Sequence, residues 1–170
     1  MQRLAEVALN EGQREEARAL IDEALDVARQ TDIGFQLIDR IYGTRINLHA
    51  DDPDAALHVM EDATASVRGP LETCPGCRIT FAVPAAIAAA RAGEIALTEK
   101  REEPCAYLAD VVMRLLAWHA AHDEVRGHIA AARGDTEGAR ARFAAAAGRF
   151  RDAEHMIDAE RCGEWVRRSN

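Results

Sequence analysis

The chain has few aromatic residues: of 170 positions, 5% are Phe, Trp or Tyr. Its interior must therefore be built from Ala, Leu, Ile and Val. No apolar stretch of 18 residues without a charge occurs, so no transmembrane helix is expected. The opening "MQRLAEVALNEGQ" carries acids within its apolar pattern and lacks a signal-peptide core, which leads to the expectation of a cytoplasmic protein. No alternating strand and no Asn-Gly hairpin is found. The formal net charge of −8 argues against nucleic acid as a direct partner, because phosphate contact needs clustered Lys and Arg. The four cysteines, Cys74, Cys77, Cys105 and Cys162, are irregularly spaced, as in a chain kept reduced rather than stapled.

What is present is helical periodicity nearly throughout. Hydrophobic residues make up 48% and charged residues 29%, ordinary for a globular protein. Asp52-Pro53 is a helix start, an Asx cap followed by Pro at a position where no N–H is missed. Asp32 is a second candidate cap. "NEGQREEA", "RAGE", "RGDTEGA" and "RDAEHMID" mark breaks, and "RGPLETCPGC" is the one obvious loop. Two prolines are awkward. Pro84 must begin or kink a helix within "FAVPAAIAAA". Beyond Pro104, residues 104–133 form one long helix or two joined near Trp118.

The breaks expose a repeat. Small residues recur about every 40 positions: Ala17 with Ala24, Ala56 with Ala63, Thr98 with Cys105, and Ala139 with Ala146. Before each pair stands a turn residue, Gly12, Asp51, Gly93 or Gly134, and before that a small one, Ala5, Thr44, Ala86 or Gly127. Two antiparallel helices need a tight turn and small side chains where they cross. One pair cannot bury both faces, so pairs stack. These offsets resemble the tetratricopeptide repeat over nearly the whole chain, although its large aromatic positions and closing Pro are missing. The third repeat departs furthest, with Thr98, Glu102 and Cys105 at its small or apolar places.

The expected fold is therefore all-α, a single domain of residues 1–170. The approximate helix pairs are 1–30, 33–68, 77–112 and 118–152, with a terminal capping helix at 156–168. The resemblance implies stacking into a right-handed superhelix, with Glu6, Asn10, Arg45, His49, Arg91, Glu124 and His128 facing a protein-binding groove. Residues 70–165, with "TCPGCRITFAVPAAIAAARAGE", "WHAAHDEVRGHIAAARGD" and "AAGRFRDAEHMIDAERC", also resemble the C-terminal repeat region of large LuxR-type, ATPase-containing bacterial transcriptional regulators. That resemblance implies a regulatory scaffold whose partner is another polypeptide or an adjoining regulator domain. A homo-oligomer is the remaining option for a repeat surface. The chain itself contains no phosphate-loop motif.

Cys74-Pro75-Gly76-Cys77 admits three readings. Zinc would need four ligands, with His119 and His122, three apart on one helix, or Cys105 and Cys162 completing the set. No second C-x-x-C exists, and a helical array needs no metal to fold. A redox centre would need one thiolate stabilised at a helix N-terminus. The third reading, preferred from sequence, is a turn into a helix with Cys77 packed as a small apolar residue. No catalytic set assembles at motif spacing, so neither an enzyme nor a bound cofactor or metal is expected. The alternative function is a small-molecule or metal-responsive helical sensor or enzyme using Cys74/Cys77 and His119/His122. "DDPD" at 51–54 is a turn and cap rather than a calcium loop, which needs spaced ligands and a distant Glu.

Overall fold

The computed structural model describes residues 1–31, 34–66 and 73–168, which include no strand. The helices are α1 (Gln2–Asn10), α2 (Arg14–Gln30), α3 (Phe35–Leu48), α4 (Pro53–Ser66), α5 (Pro75–Arg91), α6 (Ile95–Ala106), α7 (Leu116–Ala132), α8 (Thr136–Asp152) and α9 (Met156–Arg168). The all-α expectation holds. No helix among the described residues is long and apolar enough to cross a membrane. Asp32 and the loop residues Gly69 and Pro70 lie outside the described residues.

Contacts group the chain into two compact units, Met1–Ala88 and Ala89–Asn170. In the first, α1 packs on α2 and α3, α2 on α3, and α3 on α4. Ile21, Leu25, Leu48, Met60, Ile79 and Phe81 are its fully buried large side chains. In the second, α6 packs on α7, α7 on α8, and α8 on α9, around Phe143 and Val125.

The α1–α2, α5–α6 and α7–α8 turns follow one design. Gly12, Gly93 and Gly134 have φ of 78°, 78° and 77°, the left-handed region that a side chain resists. The next N–H reaches back five residues in each case, Gln13 to Ala8, Glu94 to Ala89 and Asp135 to Ala130. These bonds satisfy carbonyls that the helix end leaves open. The α8–α9 turn repeats the pattern with Glu154 at φ 63° and His155 bonded to the Phe150 carbonyl. At the α4 entry, Asp52 Oδ1 accepts from the Ala55 N–H at 3.0 Å, so "DDPD" contains the expected cap. Ala17, Ala24, Ala56, Ala63, Ala139 and Ala146 are all buried, as are Thr98 and Cys105 of the departing third repeat.

Both awkward prolines lie inside helices. Pro84 is within α5 and Pro104 within α6. Pro84 has no N–H to give the carbonyl of Thr80, one turn back. Gly43 of α3 fills the place beside it: a Cβ on Gly43 would sit 2.9 Å from the Thr80 carbonyl carbon and nearer still to its oxygen. Beyond α6 the chain widens into a π-helical segment, Tyr107–Met113, closed by the Arg114 N–H on the Ala109 carbonyl. Arg114 then turns left-handed (φ 48°) and Leu115 is extended, so residues 104–133 break three residues before Trp118.

Candidate functional site

Three clusters stand out, two in the first unit and one in the second. The first lies at the N-terminus of α5. Cys74 precedes Pro75, the first helical residue, and its sulfur accepts from the Cys77 N–H at 3.2 Å. The Cys74 and Cys77 sulfurs are 2.9 Å apart and unjoined, Cys74 exposed and Cys77 buried. Asp39 of α3 is wholly buried beside them. It accepts from the Thr73 hydroxyl at 3.1 Å, and its Oδ1 faces Arg78 Nη1 at 3.6 Å. Burial holds the Asp39 carboxyl above its ordinary range, with Arg78 and Thr73 opposing.

The second cluster joins α2 and α3. Arg14 and Arg18 are one helical turn apart on α2, as are Arg45 and His49 at the end of α3. Burial, and then the cations of Arg18, Arg14 and Arg45, lower the pKa of the His49 imidazole; Asp52 opposes them. Arg14 pairs with Asp51 at 3.1 Å and also donates to the Leu48 carbonyl. Arg45 sits 3.7 Å from Asp22. Among the described residues no carboxylate lies within ion-pair distance of Arg18.

The third cluster surrounds His122, whose side chain is 3% exposed. Its Nε2 lies 2.9 Å from Glu102 of α6 and its Nδ1 3.2 Å from Asp110 of the π-helical segment. His119 Nδ1 meets the same Asp110 at 2.8 Å, and Arg126 donates to Glu102 at 3.2 Å. His119 and His122 do share a face, and what they meet is carboxylate. Hydrogen bonds to His122 and the charges of the neighbouring cations hold Glu102 below its ordinary range against burial; His119 and His122 do the same for Asp110. Among the described residues no group of three or more His, Cys, Asp or Glu is arranged to hold a metal.

Of the expected groove residues, Glu6, Asn10, Arg45 and His49 belong to the first unit and Arg91, Glu124 and His128 to the second. Glu6 is half-buried against Gln2 and Arg3, and Asn10 is exposed. Arg45 and His49 belong to the α2–α3 cluster. Arg91 lies over the Trp165 ring at 5.1 Å. Glu124 and His128 do not line an open groove: they are 1% and 4% exposed. Arg161 of α9 binds both Glu124 oxygens. His128 stands edge-on to Phe143 and Trp165, both at 4.9 Å between ring centres. The terminal helix covers the α7 face that carries these two residues, which α7 by itself does not reveal. Sequence reasoning also missed Asp39, Asp110, Arg14 and Arg18. The four-residue spacings Arg14/Arg18 and Arg45/His49 were legible signals, whereas nothing local marks Asp39 as buried.

In comparison with known proteins, the chain matches no family model, no curated protein and no solved structure.

Proposed function

We propose that the chain is a cytoplasmic tetratricopeptide-like interaction module that works by binding another polypeptide rather than by catalysis. Its place is in a bacterial regulator, where its partner is a carboxylate-rich segment of an adjoining domain or of a separate protein. The observation that carries this is the α2–α3 cluster, where three arginines converge on His49 in a chain of net charge −8. An extended acidic segment could exchange the loose Asp22 contact of Arg45 for its own carboxylates and engage Arg18 directly. Exposed apolar side chains at Tyr107, Val111, Leu115 and Leu116 support a protein-contacting role from the second unit.

The test is titration of the chain with a fluorescent glutamate-rich peptide at two salt concentrations. Binding should weaken with salt. The Arg18→Glu, Arg45→Glu double variant should weaken it at least about tenfold, with each substitution changing stability by no more than about 0.5 kcal/mol. Binding that survives both reversals excludes this face. Light scattering on the free chain then distinguishes self-association from an external partner.

A further inference from the structure

The sulfurs at the head of α5 are placed to join. Cys74 and Cys77 are separated by one turn of helix, a Cα spacing that a disulfide can bridge. Their sulfurs are 2.9 Å apart. A bonded pair needs about 2.05 Å, so closure requires movement of under about 1 Å. Cys74 is open to solvent, whereas Cys77 is buried.

The two thiols are chemically unequal. The hydrogen bond from the Cys77 thiol holds Cys74 below the ordinary thiol range. Backbone N–H groups of Cys77 and Gly76 and the Arg40 cation add to this, against burial. Burial pushes Cys77 up to about 11, helped by its bond to Cys74 and that residue's charge. An exposed thiol that ionises more readily than usual, beside a buried one that ionises less readily, is the asymmetry that exchange chemistry uses. Asp39 adds an independent sign of a worked site. It is fully buried, it binds Thr73 and it faces Arg78, the residues flanking the pair. Cys105 and Cys162 of the second unit are buried, and burial pushes both thiols up, Cys105 to about 12.

We propose that Cys74 and Cys77 form a reversible thiol–disulfide exchange site, with Cys74 as the attacking sulfur, Cys77 as the resolving sulfur and a low-molecular-weight disulfide as the oxidant. The Cys74 thiolate attacks one sulfur of that disulfide. Its S–S bond breaks, and one small thiolate leaves with the electron pair and takes the proton that Cys77 releases. The Cys77 thiolate then attacks the Cys74 sulfur. The mixed disulfide breaks, and a second small thiolate leaves and is protonated by water. Two electrons pass from the protein dithiol to the small disulfide, which becomes two thiols. Excess small thiol reverses both steps.

The experiment uses the full chain, reduced and held without air, then exposed to oxidised glutathione near pH 7. Products are mapped by mass spectrometry after acid quench. The wild type should yield the Cys74–Cys77 disulfide without a lasting glutathione adduct, and reduced glutathione should reopen it. Cys77→Ser should trap one glutathione on Cys74. Cys74→Ser should react at Cys77 at least about tenfold more slowly than the wild type reacts at Cys74. Cys105 and Cys162 serve as unreactive standards within the same molecule. Cys77→Ala, with helicity checked by circular dichroism, replaces Cys77→Ser if serine at this buried place unfolds the protein. Equal reaction of Cys74 and Cys105, no adduct trapped on a folded Cys77 variant, or a disulfide that small thiol does not reopen would each overturn the proposal.

Discussion

Arg161 grips Glu124 with two parallel bonds, Nε to Oε1 at 2.8 Å and Nη2 to Oε2 at 2.7 Å, tying α9 to α7. The partners differ in exposure: the Glu124 side chain is 2% exposed and that of Arg161 46%. Arg161 also reaches Asp158 at 2.6 Å. Removing the arginine leaves a buried carboxylate without its counter-charge, which costs more than the pair is worth against an apolar replacement. Arg161→Ala should therefore destabilise by about 2–3 kcal/mol in urea unfolding, water at the exposed side moderating the loss. The Glu124→Leu, Arg161→Leu double variant should recover most of it.

His128 should make stability depend on pH. Burial, with the cations of Arg91 and Arg161 adding to it, pushes its imidazole down to about 3 from an ordinary 6.5. Between those values the unfolded chain binds a proton that the native core refuses. The native state therefore keeps its full advantage above about pH 6.5 and loses it as pH falls towards 3. The slope approaches about 1.4 kcal/mol per pH unit. Glu102 and Asp110, both held below their ordinary ranges, lose their contributions only at lower pH. Urea midpoints between pH 6.5 and 4.5 should thus fall in the wild type and fall less in His128→Phe. Equal slopes in the two proteins would show that His128 is not shielded from protons.

Gly43→Ala should be severe, because the atoms its Cβ would strike belong to the backbone of α5 at Thr80 and Phe81. Two helices would have to separate, at a cost of at least about 2 kcal/mol, read as a lower melting temperature. By the same reasoning Ala139→Leu should overpack its buried position and cost about 1–3 kcal/mol.

Glu154 occupies the left-handed place that Gly12, Gly93 and Gly134 hold in the α1–α2, α5–α6 and α7–α8 turns. Its side chain opposes a conformation that glycine adopts freely. Glu154→Gly should stabilise by up to about 1 kcal/mol, the relief of strain exceeding the extra freedom of the unfolded chain. Gly134→Ala should destabilise by about the same amount. A parallel pair of thermal melts checks both signs.

Local chemistry accounts for how much of the fold was legible. Turn glycines, the Asp52 cap and the buried alanines are each decided within one or two helical turns of sequence, and each stands where its neighbours predict. The break after Pro104 was harder. No glycine or proline marks Arg114 and Leu115, and the π-helical segment before them carries Asp110 to His119 and His122.

The candidate sites were legible only in part. Sequence placed Cys74 and Cys77 at a helix entrance and Arg45 and His49 on one helical face, because both pairs are set by local helical spacing. It could not place Asp39 beside the cysteines, nor show that Glu124 and His128 are covered. Those facts depend on which distant helix packs on which face. A charged residue becomes a core residue only when a partner such as Arg161 reaches it through the tertiary fold. Helical periodicity by itself determined the all-α class and the turn geometry, since hydrogen bonding and side-chain sterics act within a few residues. Burial, charge pairing and the inequality of the two sulfurs were decided by tertiary structure, because desolvation depends on everything that surrounds a group.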